Sequence, residues 1–352
     1  MDTKIFKIDD GALSASEPEL IRAGEIIRRG GLVIFPTETV YGIGADGTSA
    51  DACRRIYEAK GRPSDNPLII HIAKPSDAED YVYTGELYYR LAERFMPGPL
   101  TVIMRAKDAV PKETRAGLPT VAVRCPENPI ARRLIELAGV PIAAPSANLS
   151  GTPSPTSAEH VIADMQGRVD IIIDGGECAF GLESTIVKIE DDGSLTLLRP
   201  GKITPEELSE FADVTIAASV TAALRDGERV LSPGMKYKHY APKSPVALLS
   251  GSINATRAFL ENEAKRGRVA YISYTEEIPA LSDINGLKLY DLGAREDPIA
   301  QSHNLFSVLR RTDDGCFDCI YAPKPRTEGV YLALYNRLIR AAAHRIIDLK
   351  EV

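Results

Sequence analysis

The chain has 352 residues, long for a single domain, with 44% hydrophobic and 26% charged residues, an ordinary balance for a globular protein with a normal core. Its formal net charge of −7 argues against general binding to nucleic acid or anionic membranes, so any anion site has to be a local basic patch in an acidic protein. Five scattered cysteines, Cys53, Cys125, Cys178, Cys316 and Cys319, suit a reducing compartment better than a disulfide framework. The N-terminus MDTKIFKIDD lacks the layout of a signal peptide, and no apolar run approaches the roughly 20 residues that span a bilayer. A cytoplasmic protein without a membrane segment is expected.

The first predicted element is a helix. Ser16 and Glu19 suit a capping box with Pro18 in the first turn; Leu20, Ala23, Gly24 and Ile27 share one face, and Gly30-Gly31 ends it. LVIFPT from Leu32 reads as a buried strand, and PTETVYGIGADG at its end as a polar, glycine-rich loop. The next helix starts near Thr48-Ser49, puts Cys53, Ile56, Tyr57 and Lys60 along one side, and stops at Gly61. LIIHI (68–72) and VAVRC (121–125) read as strands, PENPIARRLIELAG as a helix, and PIAAPSAN as a strand running into a loop. A helix near 158–166 precedes the strand DIIIDGG (170–176). STIVKIE and SLTLLRPG predict a hairpin around Asp191-Asp192-Gly193, and Thr204-Pro205-Glu206-Glu207 opens a short helix with another capping box. Crossovers mixed with hairpins predict a mixed sheet with helices, not a pure Rossmann order.

From about Ala212 the pattern weakens. LSPGMKYKHYAPKSP (231–245), with three prolines, two tyrosines and three lysines, reads as a linker. Regular alternation follows: VALLSG, a helix over 254–266, RVAYISY, KLYDLG, a helix over 298–312, CIYAPK, and a final helix over 329–346. That predicts a smaller parallel α/β domain. The expected division is 1–211, a linker at 212–245, and 246–352.

Four segments carry candidate chemistry. In KGRPSDNPL (60–68), Lys60 and Arg62 flank a glycine at a helix end. Both can reach one point, Arg offering a planar fork and Lys a compact charge to a polyphosphate. Cations also favour a helix C-terminus on dipole grounds alone. PTETVYG ends a strand in hydroxyls and one carboxylate, so that Thr37, Glu38 and Thr39 could hold a small polar substrate where ligands of α/β sheets gather. RAGLPTVAVRCP sets Thr120 before a strand and Arg124 near its end, where an arginine can clamp a carboxylate. APSANLSGTPSPT (144–156) offers backbone N–H groups, hydroxyls and amides after a buried strand. Other signatures are missing: there is no P-loop, no kinase set and no nucleophile elbow, and YGIGADG holds only a G-x-G. Cys316-Phe317-Asp318-Cys319 has no second pair, and the five histidines show no metal spacing. His71, inside LIIHI, reads on its own as an ordinary strand histidine.

In this order, PTETVYGIG, KGRPSDNPL, PGPLT (97–101), LPTVAVRCP, PIAAPSANLSG, STIV and LRPG resemble the YrdC-type threonylcarbamoyl-AMP synthases, and SPGMKYKHYAP with the following α/β domain resembles the longer, two-domain form of that family. The resemblance implies an open twisted mixed sheet with a basic cavity, followed by a Rossmann-like domain. It implies an enzyme that joins L-threonine, bicarbonate or CO2, and ATP into threonylcarbamoyl-AMP with release of pyrophosphate, Mg²⁺ accompanying ATP. The product would pass to a downstream tRNA-modifying complex. By resemblance, Lys60 and Arg62 are catalytic, neutralising the triphosphate. Arg62, Asn66, Thr120, Ser146, Ser154, Arg199, Tyr237 and His239 fall on the ATP side, the last two as parts of a linker that could close over the nucleotide. Thr39, His71, Arg124, Ala144 (through its backbone) and Ser184 fall on the threonine side, and His71 then faces the cavity. No protein-held metal and no strong direct binding to nucleic acid are expected.

Overall fold

The computed structural model describes residues 2–222, 240–313 and 315–349. Most of the linker expected at 212–245 lies outside these residues, Tyr237 and His239 included. Two compact units result, the first holding most residues up to Val220 and the second those from Tyr240 onward.

In chain order, the first unit contains β1 (Lys4–Lys7), α1 (Glu17–Arg28), β2 (Val33–Phe35), β3 (Gly42–Asp46), α2 (Ala50–Lys60), β4 (Ile69–His71), α3 (Glu86–Phe95), β5 (Leu100–Arg105) and β6 (Thr120–Arg124). Then come α4 (Pro129–Ala138), β7 (Ile142–Ala143), α5 (Ala158–Met165), β8 (Ile171–Asp174), β9 (Thr185–Ile189), β10 (Leu195–Arg199), α6 (Pro205–Leu208) and β11 (Val214–Ile216). Among the described residues the strands form one mixed sheet in the order β1-β8-β2-β3-β7-β4-β6-β5-β9-β10-β11. The predicted hairpin is the antiparallel β9–β10 pair. β11 pairs parallel to β10, so the first sheet continues past residue 211.

α1 buries Leu20, Ala23, Gly24 and Ile27, the predicted face, in a core with α4 residues Ile130, Leu134 and Ile135. The predicted capping box at its start does not form: a 3-10 helix over Asp10–Ser16 leads directly into α1, and Ser16 has φ −109 and ψ 13 with no side-chain cap bond. A capping serine needs extended backbone there. The capping box at Thr204 and Glu207 does form.

YGIGADG, expected as loop, is not all loop: Gly42–Asp46 is the interior strand β3, paired to β2 and β7. A Cβ on Gly44 would lie 2.6 Å from Ile142 and 2.7 Å from Phe35, so the glycine serves close packing inside a sheet. α2 ends as expected, with Gly61 in the left-handed region at φ 59, where its N–H bonds back to Tyr57 and Glu58 carbonyls.

The second unit contains β12 (Val246–Ser250), α7 (Ile253–Arg266), β13 (Val269–Tyr274), α8 (Ile278–Leu281), β14 (Leu287–Gly293), α9 (Pro298–Thr312), β15 (Cys319–Pro323), α10 (Tyr331–Ala341) and β16 (Ile346–Asp348). Its sheet is parallel throughout, in the order β14-β13-β15-β12-β16. The predicted final helix over 329–346 is shorter: Ala343 and His344 take positive φ, and the chain turns into β16, which pairs with β12. The unit has its own core around Leu249, Leu260, Tyr271, Leu281 and Tyr321.

Candidate active site

The register of the first sheet separates the candidate residues into two groups. β4 and β6 are parallel, with His71 opposite Arg124. Thr101 on β5 is in turn opposite Arg124. Asn66 precedes β4 and Thr120 opens β6, whereas His71 and Arg124 close these strands, Arg124 roughly 13 Å beyond Thr120 at ~3.3 Å per residue.

The first group gathers where α2 ends. Lys60 is 3% exposed, and its Nζ donates to the main-chain carbonyls of Ser146 at 2.5 Å and Asn148 at 2.6 Å. The Ser150 N–H donates to the Lys60 carbonyl. Helix end and loop are thus tied together in both directions. Ser146 Oγ donates to Asn148 Oδ1 at 2.5 Å, and Ser146 also bridges to Gly42 at the start of β3. Lys60 was expected to face phosphate; here at least two of its donors are used to hold the 146–148 loop. Arg62 Nη2 points at the carbonyls of Asn66 and Pro67, each 3.4 Å away. The Asn66 side chain is buried, and neither of its amide atoms has a hydrogen-bond partner. Such an orphan amide is costly in a fold and asks for a reason.

The second group lies under the PTETVYG loop. Thr37 Oγ1 donates to the Val40 carbonyl at 2.6 Å and accepts from the Thr39 and Val40 N–H groups. Its single proton is thereby used, so Thr39 Oγ1, 2.8 Å away, donates to it. Arg124 Nη2 donates to Thr39 Oγ1 at 2.9 Å and to Glu38 Oε1 at 2.8 Å. The Arg124–Glu38 pair is almost wholly buried. Beside it, Arg199 donates from Nε to the Ser184 carbonyl at 2.9 Å and from Nη2 to Ser184 Oγ at 3.0 Å, and Ser184 Oγ lies 2.7 Å from Thr101 Oγ1. Arg199, expected on the nucleotide side, thus meets Ser184, expected on the threonine side.

His71 is buried, its Nδ1 3.2 Å from the Ile69 carbonyl and 3.3 Å from that of Ile142. Both neighbours are acceptors, so Nδ1 carries the hydrogen and Nε2 is the bare acceptor. Burial, reinforced by Arg124, drives its pKa down to about 3, so the ring is neutral. The Ala144 N–H already donates to the Ile69 carbonyl, leaving its carbonyl for any substrate contact. Ser154 Oγ donates to Glu183 Oε1 at 2.5 Å, both groups buried. Thr120 is half-buried.

Thr101 and Glu183 are partners that the sequence did not single out as site residues, and Glu38 was named only as one of three residues that could hold a small polar substrate. Their signal was present in PGPLT, the residues before STIV and PTETVYG, but only the register shows what they meet. Among the described residues no group of three or more His, Cys, Asp and Glu is placed to hold a metal ion, and no helix is long and apolar enough to cross a membrane. All five cysteines are unpaired thiols.

A mixed sheet with an arginine–hydroxyl cluster beside a Lys-anchored loop, followed by a parallel α/β unit, defines a two-domain YrdC-like protein. Comparison with known proteins narrows the class. The Sua5/YciO/YrdC family model, described as "Telomere recombination", matches residues 25–201. The model described as "Threonylcarbamoyl-AMP synthase, C-terminal domain" matches residues 203–343. The threonylcarbamoyl-AMP synthase of Bacillus subtilis (strain 168) is 43% identical over 351 residues, 99% of this chain and 100% of that protein. That of Pyrococcus abyssi is 42% identical over 339 residues, covering 93% of this chain and 95% of that protein. The crystal structure of P. abyssi Sua5 complexed with L-threonine matches with a TM-score of 0.87 at 39% identity, covering 99% of this chain and 100% of that one. The chain belongs to the threonylcarbamoyl-AMP synthase family, in its two-domain Sua5 form.

Proposed function

We propose that the protein joins L-threonine, bicarbonate or CO2, and ATP to give threonylcarbamoyl-AMP and pyrophosphate. The observation that carries this reading is 43% identity to a threonylcarbamoyl-AMP synthase along 99% of the chain. The threonine amine forms a C–N bond to the carbon of CO2, giving a carbamate. A carbamate oxygen then attacks the α-phosphorus of ATP and pyrophosphate leaves. No side chain becomes covalently bound, so catalysis rests on positioning and on preorganised charge.

Arg62, Asn66, Thr120, Ser146 and Ser154 make the nucleotide side. Lys60 acts there twice, as a buried positive charge and as the tie that fixes the 146–148 loop. Arg124 pairs the threonine carboxylate, while Thr39, Ser184 and the Ala144 carbonyl position the amino acid. Nε2 of His71 is an acceptor suited to the threonine hydroxyl. Arg199 serves the nucleotide side, as the resemblance implies, and also holds Ser184 in place. Mg²⁺ enters with ATP as part of the substrate, carried on phosphate oxygens, and Tyr237 and His239 belong to the segment expected to close over the nucleotide. The product would feed threonylcarbamoyladenosine formation in tRNA by a separate transferase complex in the cytoplasm.

The test is mass-spectrometric detection of threonylcarbamoyl-AMP after mixing the protein with ATP, L-threonine, bicarbonate and Mg²⁺. Pyrophosphate release should require both threonine and bicarbonate. Release that ignores either would overturn the assignment.

A further inference from the structure

Glu38 stands among the residues expected on the threonine side, with no specific role in the synthase reading so far. Its Oε1 accepts from Arg124 at 2.8 Å, but its Oε2 is buried without a hydrogen-bond partner, and so is Nε of Arg124. Bringing two charges into a low-dielectric interior is unfavourable unless their remaining lone pairs and protons are satisfied. Each orphan forfeits a hydrogen bond that water would have supplied, and the loss is greater when the group is charged. The pair is therefore half-completed: one acceptor is left over on the anion and one donor on the cation. This is not a loose rotamer on a soft loop. Thr37 closes the turn beneath Glu38 through three hydrogen bonds. The Phe180 N–H holds the Glu38 carbonyl, and the Gly181 N–H holds that of Thr39.

A free α-amino acid complements such a pair, because its ammonium donates and its carboxylate accepts. We propose that Glu38 Oε2 receives the α-ammonium of the substrate amino acid and accepts its first proton, so that Glu38 and Arg124 read the two ends of a zwitterion. The inference rests on the synthase reading. In the step, one N–H bond breaks and its electron pair stays on nitrogen, while the proton goes to Oε2, giving a neutral carboxyl and a free amine. The amine lone pair forms the C–N bond to CO2 as one C=O pair moves onto oxygen. The second proton is then lost from nitrogen to water, leaving the carbamate.

The groups around Glu38 leave it this task. Arg124 and Cys125 approach from the end of β6, and Cys178, itself within the field of Glu177, from the segment after β8. His71 on β4 lies within the field of both Arg124 and Arg199. Burial lifts the Cys125 thiol to about 12 and Cys178 higher still, and holds His71 at about 3. Neither thiol is a base near neutral pH. The Nδ1–H of His71 is committed to backbone carbonyls, and its low basicity makes Nε2 an acceptor of hydrogen bonds rather than of protons.

The experiment uses the full chain. Pyrophosphate release that depends on threonine and bicarbonate is followed from about pH 6 to 10 for wild type and Glu38→Gln, with unfolding temperatures measured alongside. Removing a general base costs on the order of 100-fold or more. Glu38→Gln should show that loss at neutral pH and recover steeply as the amine deprotonates in solution, while wild type changes less over the same range. A purely structural role would lower the rate equally at every pH, and that outcome overturns the proposal. A second arm needs no variant. Wild type should bind the analogue of threonine whose amine is replaced by hydroxyl about tenfold or more weakly than L-threonine, the loss expected of one charge-assisted hydrogen bond. Equal affinity also overturns the proposal. If wild type makes no threonylcarbamoyl-AMP, the synthase reading fails by itself, and the binding comparison still decides what Glu38 recognises.

Discussion

Asn66 and His71 show how single buried residues reveal their work. The Asn66 amide is buried without partners, so truncating it removes a penalty from the fold. Asn66→Ala should leave the unfolding free energy within about 1 kcal/mol of wild type, or raise it, because no protein hydrogen bond is lost. The same change should raise the KM for ATP with less effect on that for threonine. A large loss of stability in denaturant titrations would show that the amide is structural. His71 offers a pH test. Its folded pKa is held at about 3 against an ordinary 6.5, so below pH 6.5 the unfolded chain binds a proton that the fold refuses. Stability is therefore unaffected by this group above pH 6.5, falls as the pH drops towards 3, and levels off below that. Unfolding measured across this range should give a shallower acid slope in His71→Gln than in wild type. The sequence showed a histidine in a strand of apolar residues; that its Nδ1 also meets the Ile142 carbonyl depends on β7 lying beside β4.

At the level of elements, two short segments depend on one another. Lys60 at the end of α2 holds the carbonyls of Ser146 and Asn148, and a buried carbonyl stripped of its donor costs ~1–3 kcal/mol. Lys60→Met should lower stability by about 2–4 kcal/mol and abolish most synthesis. Lys60→Arg should not restore both, because a planar fork does not copy the converging bonds of an ammonium. β3 makes a contrasting case. If its glycines were a phosphate loop, Gly44→Ala would act on nucleotide binding. Packed against Ile142 and Phe35, the added methyl should cost ~1–3 kcal/mol of stability and leave the KM for ATP near that of wild type once the protein is folded. Thermal unfolding together with steady-state kinetics separates the two. The glycine spacing was visible in the sequence, but a glycine that meets phosphate and one that meets a phenylalanine look the same until the neighbouring strand is placed.

For the whole molecule, each unit has its own sheet and its own core. Residues 1–220 should therefore unfold cooperatively as an isolated fragment. A cut after Pro200 removes α6 and β11 and exposes the β10 edge, so that shorter fragment should be less stable and more prone to associate. Circular dichroism melts and sedimentation of the two fragments would check this. An equally stable, monomeric shorter fragment would show that β11 is dispensable.

By itself, the sequence determined the two-part organisation, the helical faces and the candidate segments, because hydrophobic period, caps and turn residues are local properties. Leu20, Ala23, Gly24 and Ile27 needed no tertiary information to be assigned to one face, nor did Gly61 to be assigned to a helix end. The resemblance of seven short segments to one family supplied the candidate chemistry, since their order survives any packing. Only the tertiary structure decided partnership: that Arg199 holds Ser184, that Lys60 anchors the 146–148 loop, and that Glu38 half-completes Arg124. Those facts depend on which strands lie side by side and in what register, and neighbours in the sheet such as β4 and β6, or β5 and β9, are far apart along the chain.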